Sequence, residues 1–265
     1  MLRHDTLKPS VDAPTLEDIP ALMQGRDIHR VEATYVDHLK EFGTSQEALE
    51  GVASAMVTKD GAVRACLGDA QTDILYFGFA HVPFGVLAGR LAESNRHVRL
   101  VEHDHISGRF RWGPTLEFET APPVIEQRAT GHVARLLVSV SARVEPSLCD
   151  NVMPREQSLV DIHVGLQKPF RGVITSEAQA RHFVDGVARE VDAAIGGKSG
   201  IEALHVFAAV PVSVAFLLGQ RVFAGSGLPP VIIHSLTSAP QPAYRWALNL
   251  FDAMGGRRGI TIHGI

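Results

Sequence analysis

Leu204 to Gly219 reads LHVFAAVPVSVAFLLG. Leu204 to Ala209 is a short, almost wholly apolar run, the pattern of a strand covered on both faces. Val210-Pro211 punctuates it, and a proline with fixed φ and no N–H suits the first turn of a helix. Val212 to Leu218 continues as an apolar helix whose only polar side chain is Ser213. A strand turning tightly into a buried helix is half of a Rossmann-like β-α-β unit. Its turn points helix-start N–H groups at the carboxyl end of a strand, where open α/β sheets bind ligands and phosphates above all.

The pattern occurs twice. YFGFAHVPFGVLAGR, Tyr76 to Arg90, parallels LHVFAAVPVSVAFLLGQR, Leu204 to Arg221. Phe79-Ala80 and Val82-Pro83 match Phe207-Ala208 and Val210-Pro211. Each unit runs on to a short β segment, Val98 to Glu102 or Val231 to His234, and then to Arg-Trp, Arg111-Trp112 or Arg245-Trp246. A repeat of half the chain is too long for a solenoid. It predicts an α/β fold of two fused Rossmann-like halves, an intramolecular pseudo-dimer. Two strand-to-helix turns then share one cleft, which suits a ligand with repeated, phosphate-linked parts.

Around these units, Thr44-Ser45-Gln46-Glu47 reads as a capping box before the helical stripe Leu49, Val52, Ala53 and Met56. Ser176 with Gln179 opens a second capped helix, with Ala180, Phe183, Val184, Val187, Val191 and Ile195 on one face. Val31 to Phe42 is mixed, strand or short helix, and Ala62 to Leu67 reads as a short strand. Ser94-Asn95 ends the helix that starts near Phe84. Val133 to Val144 and Leu159 to Leu166 alternate as half-buried strands, with Asp161 and His163 outward, and read as an antiparallel pair. Pro240 and Pro242 precede a last helix carrying Tyr244, Ala247, Leu248, Phe251 and Met254. Residues 1–30, polar and rich in proline and aspartate, read as an irregular lead-in.

Composition bounds the function. The chain has 265 residues, 45% hydrophobic and 20% charged, ordinary for a soluble globular protein. A net charge of −4 argues against a surface built to grip long nucleic acid. No apolar run is long enough for a membrane span, and the N-terminus lacks a signal-peptide core, which points to the cytoplasm. Cys66 and Cys149 make no disulfide framework and no zinc motif. Glu102, His103, Asp104 and His105 have metal-ligand types but no remote partner, and read as a solvated loop. No G-x-S-x-G, H-E-x-x-H or Walker loop is present, and no G-x-G-x-x-G follows either apolar strand.

The run His205 to Pro211, then Ala215, Leu218-Gly219-Gln220, Val231-Ile232-Ile233 and Tyr244, resembles the SAVED domain family. That family has an Ile-His-Leu-Phe type strand, a small residue, a proline and an apolar helix ending in Gly-Arg. A β run and a tyrosine follow. Gln220 stands where the basic residue is usual. The resemblance implies a SAVED-like domain over residues 31–265, in CARF-like halves of about 31–130 and 131–265. It implies a non-catalytic sensor of a cyclic oligonucleotide, a cyclic tri- or tetra-oligoadenylate, in anti-phage signalling of the CBASS or type III CRISPR kind. With no effector recognisable in the sequence, it also implies a separate effector chain and ligand-driven self-association. A ring nuclease in the same cleft, or a sponge that only sequesters the ring, are the alternatives.

Such a ligand needs N–H groups or cations for phosphates, flat side chains for bases and polar groups for base edges. The turns His81, Pro83, Phe84, Gly85 and Pro211, Val212, Ser213 are expected to offer helix-start amides, with Gly85 allowing close approach. Arg109 and Arg111 are the expected phosphate cations. Phe84, Trp112, Tyr244 and Trp246 are candidates for stacking, with core packing the favoured reading for Phe84 and Trp246, and Ser213, His234, Ser235 and Thr237 are candidates for base edges. No metal and no other cofactor is implied.

Overall fold

The computed structural model describes the chain except residues 10, 11, 16, 20–28, 70, 71, 93–95, 115, 226, 238–242, 264 and 265. The expected helix end at Ser94-Asn95 and the prolines 240 and 242 lie outside the described residues.

The first half is built from β1 (Leu2–Asp5), β2 (Val31–Thr34), α1 (Val36–Phe42), α2 (Gln46–Val57), α3 (Ala62–Gly68), β3 (Ile74–Phe77), α4 (Val82–Leu91) and β4 (Val98–Leu100). A hairpin of β5 (His103–Asp104) and β6 (Arg109–Phe110) follows. The second half holds β7 (Val124–Gln127), β8 (Val133–Ser139), α5 (Pro146–Asp150), β9 (Ser158–Gly165), α6 (Glu177–Ile195) and β10 (Ala203–Ala209). Then come α7 (Val212–Leu217), running into a π turn at Leu218–Val222, β11 (Val231–Leu236), β12 (Tyr244–Asn249), α8 (Leu250–Met254) and β13 (Ile260–Ile262).

The first sheet has the order β2-β1-β3-β4, all parallel. The second has the order β13-β12-β11-β10-β8-β9-β7. Its inner strands β11-β10-β8-β9 are parallel, and β12, β13 and β7 join antiparallel. The four parallel strands of each sheet therefore share one connectivity, with the second strand outside the first and the third and fourth on the other side. Helices cross between the third and fourth strands in both, α4 in one half and α7 in the other.

These two helices pack on each other. A Cβ on Gly89 would stand 1.8 Å from the Phe216 carbonyl oxygen, and one on Gly219 would stand 1.9 Å from that of Val86. The contact is reciprocal, and only glycine permits it. It also sets the register between the halves. Ile74 matches Leu204, Val82 matches Val212 and Gly89 matches Gly219, out of step with the Phe-Ala and Val-Pro match read from sequence.

Local signals explain the helices. The Ser45 hydroxyl, not Thr44, accepts the Ala48 N–H at the start of α2, and the Ser176 hydroxyl accepts the Gln179 N–H at the start of α6. The expected apolar stripe of α6 is buried from Ala180 to Ile195.

Several expectations are corrected. Leu2–Asp5 is an inner strand rather than part of an irregular lead-in. Ala62–Gly68 is a helix, burying Val63 and Leu67 one turn apart. Val31–Phe42 holds both a strand and a helix. β8 and β9 are parallel, and the antiparallel neighbour of β9 is β7. Tyr244–Asn249 is a strand, so Tyr244 does not start a helix. Asp161, expected outward, is fully buried.

Asp161 is buried because Arg135 of β8 is buried beside it. The Arg135 Nε and a terminal nitrogen donate to its two oxygens at 2.9 and 2.8 Å, Arg128 donates at 2.9 Å and Ser158 Oγ at 2.6 Å. Arg135 also donates to Asp150 and to the Met153 carbonyl. Burial alone would raise the Asp161 pKa. The donors and the guanidinium charge outweigh it and hold the group down to about 2.

Imidazoles form a second buried system. His205 Nδ1 lies 2.9 Å from His234 Nε2, and His234 Nδ1 lies 3.1 Å from His263 Nε2. Centroid separations of 5.2 and 5.1 Å at small interplanar angles set the rings edge to edge. Phe207 stacks on His234 at 4.3 Å. A chain of neutral imidazoles satisfies this geometry, with His234 in the middle donating once and accepting once. Burial pushes His205 down to about 4 and His234 well below its ordinary value. His4, buried with Nδ1 2.7 Å from the Tyr76 hydroxyl, is also pushed to about 4.

Three outcomes follow for stability. Asp161→Asn, which removes the bidentate carboxylate of the buried Arg135 and leaves it only Asp150, is expected to cost about 3 kcal/mol in urea unfolding. Gly219→Ala is expected to cost about 1–3 kcal/mol by forcing the two helices apart; an unchanged urea midpoint would show that they do not meet there. The imidazoles bind protons more readily unfolded than folded, so their contribution is complete above about pH 6.5 and is lost as pH falls toward about 4. Asp161 adds a loss only below the ordinary carboxylate range, on the way to about 2. A urea midpoint that stays level from pH 7 to pH 4 would contradict the buried neutral imidazoles.

Candidate functional site

The carboxyl ends of both parallel sheets open into one cleft of about 420 Å³. From the first half it takes Leu7 and Lys8 beyond β1, Gly78 to Val82 beyond β3, Glu102 and His103 beyond β4, and His105 from the hairpin turn. From the second it takes Ser141 and Ala142 beyond β8, Ala208 to Val212 at the end of β10, and Ser235 and Leu236 at the end of β11. The segment Arg171 to Ile174 closes one side.

Four of the expected residues line this cleft: His81, Pro211, Val212 and Ser235. The others do not. Pro83, Phe84, Gly85 and Ser213 lie buried within α4 and α7. The close approach at Gly85 is to Ala215, whose Cβ would lie 3.0 Å from a Cβ placed on it, and not to a ligand. Phe84 packs on Trp246 at 5.2 Å. His234 and Tyr244 are buried around Phe207, on the sheet face where Cys149 of α5 also packs. Burial raises the Tyr244 hydroxyl pKa far above its ordinary value, with the Cys149 thiol beside it adding to the shift. Thr237 Oγ1 donates to the Ala243 carbonyl at 3.3 Å.

Arg109, Arg111 and Trp112 line a separate depression with Asp18 and Glu177. Arg109 donates to Asp18 and to Thr15, both at 2.7 Å. Arg111 meets Asp104 at 3.4 Å, and Trp112 Nε1 donates to the Leu100 carbonyl at 2.9 Å. These arginines serve the hairpin and its neighbours, so they are corrected as cations of the cleft.

The α7 start is also taken. The Ser213 N–H donates at 3.0 Å to Glu102 Oε2, a carboxylate from the other half, whose Oε1 accepts the His103 N–H at 3.3 Å. Burial raises the Glu102 pKa against the pull of these hydrogen bonds. At the α4 start, the His81 N–H donates to Thr6 Oγ1 at 2.7 Å, and the same oxygen lies 2.8 Å from His81 Nδ1. Burial pushes His81 down to about 4, so its ring is neutral at neutral pH.

The cleft's own cations are Lys8 and Arg171, which the sequence reading did not single out. Its phenyl ring is Phe79, against which His103 and Phe110 pack tilted at 4.9 and 5.1 Å. Neither carried a sequence signal: Lys8 follows a strand that does not read as one, and Arg171 precedes a turn glycine, Gly172, whose φ is +84°. Among the described residues no three His, Cys, Asp or Glu side chains are grouped as metal ligands. Nor is any helix among them long and apolar enough to cross a membrane.

Residues 62–250 match the family model described as SAVED, the SMODS-associated and fused to various effectors sensor domain. No curated protein matches the chain. Among solved structures, one similar chain is the Acinetobacter baumannii Cap4 SAVED/CARF-domain containing receptor with the cyclic trinucleotide 2'3'3'-cAAA. It is 13% identical, with a TM-score of 0.48, over 77% of this chain and 44% of that one. The same receptor with 3'3'3'-cAAA is 11% identical, with a TM-score of 0.49, over 92% of this chain and 50% of that one. The chain thus spans about half the length of these receptors. The family model covers most of the chain and both helices that cross between the halves, and the chain belongs to the SAVED family of sensor domains.

Proposed function

We propose that the cleft binds a cyclic oligonucleotide, a ring of three or four nucleotides and an oligoadenylate by preference. The observation that carries this reading is the meeting of two parallel sheets, carboxyl end to carboxyl end, in one cleft of a sensor-family domain. Its volume is in the range of small-molecule sites, about 300–1,000 Å³. Arg171, at its rim, supplies a guanidinium for phosphate, and Ser141 and Ser235 supply hydroxyls for base edges. The shared connectivity and the reciprocal helix contact support reading the halves as an intramolecular pseudo-dimer.

In this reading the domain binds its ring without cleaving it and works in the cytoplasm. It passes the signal by self-association or through a separate effector chain, since a ligand acts only through a difference in affinity between two states.

Calorimetry against cyclic di-, tri- and tetranucleotides, with the ligand recovered afterwards, tests this. One intact ring is expected to bind. Arg171→Ala is expected to weaken it about tenfold or more, as loss of a charge-assisted hydrogen bond does. Arg109→Ala is expected to leave affinity within about twofold, because its charge is spent on Asp18. Linear products would turn the assignment to a nucleotide-processing enzyme. Tight binding with no change in assembly and no effector would leave a sponge. No heat from any ring would remove the reading.

A further inference from the structure

Lys8 lies outside the residues that match the family model, yet it lines the cleft. Its backbone is pinned: the Thr6 and Leu7 N–H groups both donate to the Phe79 carbonyl at 2.9 Å. Its side chain is exposed, and Nζ sits 4.1 Å from the centroid of the Phe79 ring. That is a cation–π contact. Among the described residues no carboxylate pairs with this ammonium. The cleft's own carboxylate, Glu102, accepts the Ser213 and His103 amides instead.

The Phe79 ring is itself packed, with His103 and Phe110 tilted against it at centroid separations of 4.9 and 5.1 Å. One face of a half-buried, packed ring is therefore covered by a single exposed ammonium. We infer that Lys8 is a phosphate-binding residue whose ammonium rests on Phe79 and yields that ring face to a nucleobase when the ligand enters. This rests on the cyclic-oligonucleotide reading of the cleft and adds to it a stacking position and an exchange.

The exchange is favourable on both sides. An exposed cation–π contact is a weak attraction. Stacking of a base on an aromatic ring is stronger, and so is a charge-assisted contact between ammonium and phosphate. One side-chain rotation exchanges the weak contact for both. The matching position in the second half is Ala209, so this device exists on one side of the cleft only.

The test titrates the intact chain with cyclic triadenylate, or with whichever ring of the panel binds tightest, over a series of salt concentrations. Lys8→Ala is expected to weaken binding about tenfold at low salt and to reduce the slope of log K against log salt by about one. Lys8→Arg is expected to restore most of both. Phe79→Leu is expected to weaken binding about tenfold while leaving the salt slope unchanged. If Lys8 merely covers the ring, Lys8→Ala exposes a stacking face and binding tightens. That result, or an unchanged affinity, overturns the inference while the cleft's function stands. A wild-type chain that binds no ring overturns both, and the wild-type titration alone reveals it.

Discussion

Two helices cross where neither can carry a side chain. With Gly89 against the Phe216 carbonyl and Gly219 against the Val86 carbonyl, α4 and α7 approach to backbone contact. Everything functional depends on that approach. Each helix starts at the carboxyl end of the third strand of its sheet, so bringing the helices together brings β3 and β10 to the same opening. The residues beyond those strands, Gly78 to Val82 and Ala208 to Val212, then form the floor of one cleft. A wider helix crossing would part the floor without changing either sheet.

The shared backbone plan does not extend to chemistry. By strand register Phe79 corresponds to Ala209 and His81 to Pro211. Beyond the fourth strands, Glu102 corresponds to Ser235 and His103 to Leu236. One wall is aromatic, titratable and charged, and the other is small and mostly apolar. The outlying Arg171 comes from the chain between β9 and α6 and has no part in that correspondence.

The sequence showed most clearly what burial dictates. An apolar strand, a proline turn and an apolar helix could only pack as β10 and α7 do, and the capped stripe of α6 left no second face to bury. What it hid has physical causes. Leu2–Asp5, LRHD, does not read as an inner strand because its buried polar groups find partners far along the chain: His4 meets Tyr76, and Asp5 accepts the Phe79 N–H. Arg135 and Asp161 satisfy each other across neighbouring strands, so charges that read as solvent-facing are buried and make both strands look half-exposed. Direction was equally invisible, since alternation is the same in parallel and antiparallel pairs. Tyr244 to Met254 has apolar spacing that fits a helix, yet Tyr244–Asn249 joins the sheet because β11 has an open edge beside it. The cleft's location was legible, but its side chains were not, because Lys8 and Arg171 reach it from segments without a motif.

The expectation that failed most instructively concerns phosphate. A strand-to-helix turn normally offers amides to an anion. Here the α7 start offers its Ser213 amide to Glu102, a carboxylate supplied by the other half. The same bond that ties the halves together at the cleft therefore occupies the amide that the simplest Rossmann-like site would offer to a phosphate. A phosphate would have to displace Glu102 to reach that amide. The cations that line the cleft, Lys8 and Arg171, are exposed and come from other segments. In the proposed reading, recognition falls to side chains around the cleft more than to this helix end. Phe79 is among the cleft residues that differ between the halves, while the glycines and strands that the halves share fix where the cleft is.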